Sequence, residues 1–382
     1  MKSNNLKIGL VFDDTLDSND GVQQYVKSLG RWLLGQGFEV RFLVGETHDA
    51  GDLQQYVRSL SKNITFRGNQ NKMFLPINSS GKHIDKVLKE EQFDVLHVMM
   101  PTNPFMGSRV VRRAGKTPVV GTFHMVGGTW FISIGAKLLA LAQRTTLKRI
   151  GTYLSVSKAA QTFEREHFGI ESQVSPNMVD TRAYKKGQPK EFLKGKNSTI
   201  TFLGRLVERK GAIHLLEAVK ILHQEGKLEG VRVNICGDGE LRPELEEFVR
   251  DHQLEGNVFF HGFIDEDEKS DYLASSDIAI FPSTGGEAFG IVLIEAMSTG
   301  KSVVLGGDNS GYRTVLGGRD ELLFDPYGHY ELATKLAHFI TDKRARDSAI
   351  AWQSSEVEQY DIDVVGHDVV VCYRDASSRK IL

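Results

Sequence analysis

Short apolar, β-branched runs alternate with longer segments of helical period in the first part of the chain, and after a polar interval the alternation begins again. Leu6 to Phe12, Glu39 to Val44, Asp94 to Met99, Pro118 to Phe123 and Thr152 to Val156 read as strands, with a helix over Val22 to Leu34. The intervals between strands are long enough for crossover helices, so parallel pairing is expected. From Ala183 to Ser198 the sequence turns polar, with Gly187, Pro189 and five lysines, and reads as a linker. Strands then resume at Thr199 to Leu203, Val231 to Cys236, Val258 to His261, Ile278 to Phe281 and Ser302 to Leu305.

At about 100 to 200 residues per domain, a chain of 382 residues accommodates two such units. The expected architecture is α/β: two doubly wound, Rossmann-like domains. The first is residues 1–182 with a C-terminal helix at about 361–382 that crosses back to it; the second is 183–360. Facing each other, they would set the C-terminal ends of their strands, where open sheets bind ligands, across a central cleft.

A net charge of -2 lacks the cationic surplus that wholesale nucleic-acid binding needs. The two cysteines, Cys236 and Cys372, lie in apolar and helical patterns and are expected as buried free thiols in a reducing compartment. Met1 to Asn5 leads straight into a strand-like run without an export signal, so the expected location is cytoplasmic. Met125 to Ala142 is apolar, but three glycines and Lys137 interrupt it and it falls short of a membrane span.

The strongest chemical signal is Gly285-Gly286-Glu287-Ala288-Phe289-Gly290, running into Ile291, Val292 and Glu295 after the strand Ile278 to Phe281. Glycines let backbone approach a ligand, and the N-terminus of the helix expected near Phe289 offers N–H groups and a positive dipole to a diphosphate. Glu287 and Glu295 supply acceptors for hydroxyl groups at two depths, and a solvated Glu295 is a poor account of a carboxylate in an apolar run. A second signal, Leu203-Gly204-Arg205 through Lys210-Gly211, follows the first strand of the second domain, where Arg205 and Lys210 can neutralise a leaving diphosphate. The alternative is that Arg209 and Lys210 are simply surface charges before the helix Ala212 to Glu225.

Weaker features lie in the first domain. Asp20-Gly21-Val22-Gln23 opens a helix after a strand, either as a plain cap or as a site for a phosphate or sugar. His124 ends a strand and is a candidate ligand contact. Gly237-Asp238-Gly239 follows a strand but Arg242 stands where a dinucleotide fingerprint needs its last glycine. Asp265-Glu266-Asp267 opens a helix, where acidic residues complement the dipole better than they bind a metal.

The segment Gly285 to Met297 closely resembles the E-x7-E signature of family 4 glycosyltransferases with the GT-B fold. Leu203-Gly204-Arg205, Lys210-Gly211, Ser175 to Asp180 and Cys236 to Gly239 stand where that family places equivalent motifs, so the resemblance spans almost the whole chain. Gly21-Val22-Gln23-Gln24 and Gly121 to His124 look most like phosphatidylinositol mannosyltransferases of the PimA type. The resemblance implies a retaining, metal-independent hexosyltransferase, with GDP-mannose as donor and a phosphatidylinositol-like acceptor. It implies that Glu287 holds sugar hydroxyls, Glu295 the ribose, and Arg205 with Lys210 the departing diphosphate. Gly21, Phe289, Gly290, Ile291 and Val292 would complete the donor site. Gln23 and His124 would meet the acceptor, with His124 also at the reacting sugar. Two positions depart from the family: Asp20 where a glycine is usual, and Met178 for the glycine of P-N-G-V-D.

The alternatives are a transferase using a UDP-sugar and another lipid or soluble acceptor, a nucleotide-sugar 2-epimerase, or a non-catalytic nucleotide-sugar-binding protein. An epimerase would show further carboxylates and histidines around the sugar, and the intact Arg205, Lys210, Glu287 and Glu295 weigh against a mere binder. Finally, Trp130 to Lys148 at helical spacing aligns Phe131, Ile134, Leu138, Leu141 and Ala142 as an apolar stripe, with Lys137, Arg144 and Lys148 beside it. Such a helix either packs in the core or lies on an anionic membrane surface, making the protein peripheral at the inner face.

Overall fold

The computed structural model describes residues 6–18, 20–68, 71–76, 79–126, 139 and 141–378. Two compact units emerge: residues 1–178 with 362–382, and residues 179–361. The chain therefore passes between units twice. At these junctions Val179 bridges Asp361 in parallel, and the Thr181 hydroxyl donates to the Asp361 carboxylate.

The first unit holds a seven-stranded parallel sheet in the order Val57–Ser61, Glu39–Gly45, Lys7–Val11, Val95–Met99, Val119–Phe123, Thr152–Ser155, Gln173–Val174. Its central strands are buried on both faces, which is why they read as unbroken apolar runs rather than alternating ones. One face packs against the helices Gly21–Gly35 and Ile362–Ser378 through Tyr25, Leu29, Val365 and Val369, and the Trp32 indole donates to Asp363 at 2.7 Å. Met178 is buried in this same core, which gives its thioether side chain apolar neighbours. An antiparallel hairpin, Asn63–Gly68 with Asn71–Pro76, is an addition that the alternation does not announce.

The second unit holds a six-stranded parallel sheet in the order Val258–Gly262, Val231–Cys236, Ser198–Leu203, Ile278–Phe281, Val303–Gly307, Leu323–Phe324. Strand order reverses between Ser198–Leu203 and Ile278–Phe281, so the loops after Leu203 and Phe281 leave the sheet at the crevice where open α/β sheets bind ligands. The polar stretch 183–198 is not a free tether. Leu193 is buried, its carbonyl accepts from the Asn234 amide at 2.9 Å, and Lys190 N–H donates to Ser275 at 2.8 Å. Five lysines made it read as solvated, but its backbone is spent on the second unit. Cys236 is buried and Cys372 half-buried, both as free thiols.

Most of Trp130 to Lys148 lies outside the described residues, including Phe131, Ile134, Lys137 and Leu138. At its end, the Gln143 N–H bonds the Leu139 carbonyl at 2.8 Å and a short helix spans Arg144–Leu147. Leu141 is 71% exposed, and Ala142, Arg144 and Lys148 are exposed beside it.

Candidate active site

After the strand Ser198–Leu203 the chain makes a 3-10 turn at Glu208–Lys210 and enters the helix Ala212–Gln224 through Gly211. Gly211 has φ +72°, and a Cβ there would run into the Pro282 carbonyl oxygen. Only glycine fits this approach, and the approach brings the two loops of the switch point together. The Thr284 N–H donates to the Arg209 carbonyl at 3.0 Å, and the Ser283 hydroxyl oxygen lies 2.9 Å from the same carbonyl oxygen.

That loop junction sets the central geometry. Lys210 Nζ and Arg209 Nη1 each lie 2.8 Å from Oε1 of Glu287, and the Ser283 hydroxyl donates to the same oxygen at 2.9 Å. Burial alone would raise the Glu287 carboxyl, but Lys210 and Arg209 outweigh it and hold the group below its ordinary value. Glu287 is thus a carboxylate at neutral pH, with a side chain 13% exposed. The sequence reading paired Lys210 with Arg205. The structure puts Arg209 beside Lys210 on the carboxylate, while Arg205 lies half-buried earlier in the loop. Ser283 was missed as well; a hydroxyl at the end of a buried strand at the switch point is the signal that would have found it.

The helix begins at Ile291 rather than near Phe289, because Gly290 takes φ +114° and a Cβ there would press on the Tyr312 ring. No side chain caps it; the Leu293 N–H turns back to the Gly290 carbonyl at 3.0 Å, and the N–H groups of Ile291 and Val292 are the ones placed to meet an anion. Phe289 is buried, edge-on to Tyr360 with ring centroids 5.3 Å apart; its side chain anchors the loop and only its backbone lies at the helix start. Ile291 and Val292 are half-buried.

Glu295 lies one turn further on and is 4% exposed. Lys269 Nζ approaches its two carboxylate oxygens at 3.2 and 3.5 Å and reaches Glu266 at 3.1 Å. Burial by itself would lower the Lys269 ammonium, but the charges of Glu295 and Glu266 raise it. Burial, with the nearby charges of Glu295 and Glu266, holds the Tyr184 hydroxyl well above its ordinary value. The costly unpaired carboxylate foreseen from the sequence is therefore paired, by a lysine that sequence reasoning did not single out. Gly237 and Gly239 serve this region by proximity: side chains there would collide with the Gly204 and Leu206 carbonyls, so the loop lies backbone against backbone on Gly204-Arg205-Leu206.

In the first unit, Gly21 is the exposed first residue of its helix. Gln23 is buried with every polar atom engaged. Its Oε1 accepts from the Ser18 hydroxyl at 2.8 Å and the Asp20 N–H at 2.9 Å, and its Nε2 donates to the Thr15 carbonyl at 3.0 Å. Gln23 thus braces the loop before the helix, and Asp20 is the N-cap. His124 is half-buried at the end of its strand, with the Tyr25 ring edge-on at 4.7 Å. Burial pushes its imidazole down to about 3, so it is neutral, and its Nε2 is a buried atom without a partner.

Residues 185–352 match the family model described as Glycosyl transferases group 1, and residues 19–183 match Glycosyltransferase Family 4. A phosphatidyl-myo-inositol mannosyltransferase of Mycolicibacterium smegmatis is 30% identical over 98% of this chain and 95% of its own length. A GDP-mannose-dependent alpha-(1-6)-phosphatidylinositol monomannoside mannosyltransferase of Mycobacterium tuberculosis is 26% identical over 62% of this chain and 65% of its own. Among solved structures, a glycosyltransferase from Rickettsia africae superposes with a TM-score of 0.77 at 16% identity, covering 99% of this chain and 100% of that one. Two parallel sheets, an uncapped helix start beside two cations paired on one carboxylate, and similarity over nearly the whole chain place it in the family 4 glycosyltransferases of GT-B fold, where it resembles the phosphatidylinositol mannosyltransferases.

Proposed function

We propose that this glycosyltransferase moves mannose from GDP-mannose to a phosphatidylinositol-like lipid at the cytoplasmic face of the membrane, with retention of configuration and without a metal. The observation that carries the reading is the pairing of Arg209 and Lys210 on one oxygen of Glu287 beside the uncapped start of the helix Ile291–Thr299. The carboxylate occupies cations that a diphosphate would also seek. Donor binding then transfers Lys210 and Arg209 to the β-phosphate, the helix start receives another phosphate oxygen, and the released Glu287 accepts from the sugar hydroxyls. Glu295, paired with Lys269, meets the ribose.

In the chemical step the bond from the anomeric carbon to the phosphate oxygen breaks while the acceptor hydroxyl bonds the same face. The departing phosphate takes the hydroxyl proton, and Arg205, Arg209 and Lys210 stabilise the charge that develops on it. The positive charge those three supply supports a metal-independent mechanism. His124, neutral and with Nε2 unpartnered, is assigned to the reacting sugar and the acceptor, with Gly21 beside the donor; Gln23 contributes by bracing the loop that precedes Gly21. The names of the relatives support mannose and phosphatidylinositol. Exposed Leu141 and Ala142 next to Arg144 and Lys148 support docking on an anionic surface, and no helix among the described residues is long and apolar enough to cross a membrane.

Titrating the protein with GDP-mannose and UDP-glucose by calorimetry, and determining the anomeric configuration of the product by NMR, tests the donor and the stereochemistry. Selective binding of GDP-mannose and an α-linked product are expected. Preference for UDP-glucose, or an inverted product, would overturn this reading.

A further inference from the structure

A line of buried polar side chains runs through the first unit from the C-terminal helix to His124. Tyr373, on the helix Ile362–Ser378, is fully buried, and its hydroxyl lies 2.7 Å from His97 Nδ1. His97 Nε2 lies 2.6 Å from the Thr122 hydroxyl. Thr122 sits two residues before His124, so the period of the strand puts both on one sheet face, the face covered by the helices Gly21–Gly35 and Ile362–Ser378. The Tyr25 hydroxyl lies beside Thr122 without reaching good hydrogen-bond geometry, while its ring edge packs on His124.

Three properties distinguish this line from ordinary core packing. First, it is polar and wholly buried: His97 and Thr122 are both 0% exposed. A buried polar pair adds little net stability over a well-packed apolar one, so its contribution lies in fixing geometry. Second, it is directional. A neutral imidazole donates from one ring nitrogen and accepts at the other, so Tyr373 and Thr122 are bound to opposite roles. Third, it ends on two orphaned atoms, Tyr25 Oη and His124 Nε2, which are buried and have no hydrogen-bond partner. Everything upstream is satisfied; only the end that meets His124 is not.

We infer that Tyr373 and His97 are positioning residues for His124, holding the strand end and the Tyr25 ring through Thr122, so that the seating of the C-terminal helix sets how His124 meets its substrate. The inference rests on the role assigned to His124 above. It makes residue 373, more than 200 positions away in the chain, a determinant of turnover rather than of donor binding.

A double-mutant cycle tests it. Tyr373→Phe keeps the ring and removes only the hydroxyl; Thr122→Val breaks the line at its other end and serves as the second variant. Each is measured with intact His124 and in a His124→Ala background, reading kcat, the KM for the nucleotide-sugar, and the melting temperature. With His124 present, each variant is expected to lower kcat by about fivefold to tenfold at unchanged donor KM; with His124→Ala, neither lowers it further. Equal losses in both backgrounds would reduce the line to plain structural support, and unchanged kcat beside a crippled His124→Ala enzyme would remove the link; either overturns the inference. Full activity of His124→Ala itself would overturn the role of His124, and is read separately from the other two results. As a second readout, the His124 ring 15N resonances should move in Tyr373→Phe; if they stay in place, the coupling is absent.

Discussion

Lys210 Nζ and Glu287 Oε1 are 2.8 Å apart, a partly buried ion pair formed across the two loops of the switch point and shared with Arg209. In the proposed mechanism Lys210 acts on the phosphate and Glu287 on the sugar, so their substitutions should separate. Glu287→Ala is expected to lower kcat by about 10² to 10³ while changing nucleotide affinity little, and Lys210→Ala to lose both. Nucleotide binding by calorimetry alongside steady-state kinetics checks this. A Glu287→Ala enzyme with normal turnover would show that the sugar is not held there.

Gly211 makes that pair possible. At φ +72°, with the Pro282 carbonyl oxygen where a Cβ would be, Gly211→Ala must strain the backbone or part the loops. A cost of about 1–3 kcal/mol is expected for a non-glycine residue held there. Because the shift falls between Lys210 and Glu287, the variant should lose activity more than it loses melting temperature. Preserved activity with lowered stability would show that the loop contact is only structural.

Much of this was legible in the sequence. The strand Ile278–Phe281 coincides with its apolar run, because a central parallel strand buried on both faces reads as unbroken apolar sequence, while Val231–Cys236 was legible from the alternation of its β-branched residues with Arg232 and Asn234. The short edge strands Gln173–Val174 and Leu323–Phe324 were invisible, since two residues carry no periodicity. At the site, Glu287 and Lys210 were legible from spacing, whereas Arg209 was not: adjacent basic residues look alike until a turn decides which points inward. Gln23 illustrates the opposite difficulty. Its position at a helix start suggested a ligand, yet every polar atom of its side chain is used within its own loop.

Glu164 supplies a pH signature. It is fully buried, with Oε2 accepting from the Ser155 and Ser172 hydroxyls at 2.5 and 2.7 Å and Oε1 without a partner. Burial raises its carboxyl to about 7 against the pull of the two hydroxyls. The folded value exceeds the ordinary 4.5 of a free glutamate, so between the two the native state holds a proton that the unfolded chain gives up. Stability should therefore fall as pH rises from 4.5 to about 7 and level off above. Glu164→Gln should flatten that slope and raise the melting temperature at pH 8. An unchanged slope would assign the pH dependence elsewhere.

Arg144 and Lys148 are exposed beside Leu141 and Ala142. If this edge docks on anionic lipid, Arg144→Glu with Lys148→Glu should weaken co-sedimentation with anionic vesicles at low salt by at least about tenfold, at roughly 1 kcal/mol per charge. Neutral vesicles should show little binding in either case. Equal sedimentation of both proteins would place membrane docking elsewhere or make the acceptor soluble.

The central claim meets its most direct test in one assay: mass-spectrometric detection of mannosyl transfer from GDP-mannose to phosphatidylinositol vesicles in excess EDTA, with Lys210→Ala as control. The account predicts a lipid product gaining one hexose, formed at the same rate with and without chelator and abolished in Lys210→Ala. No hexosyl lipid from the intact protein, or a product that appears only when magnesium or manganese is restored, would contradict it.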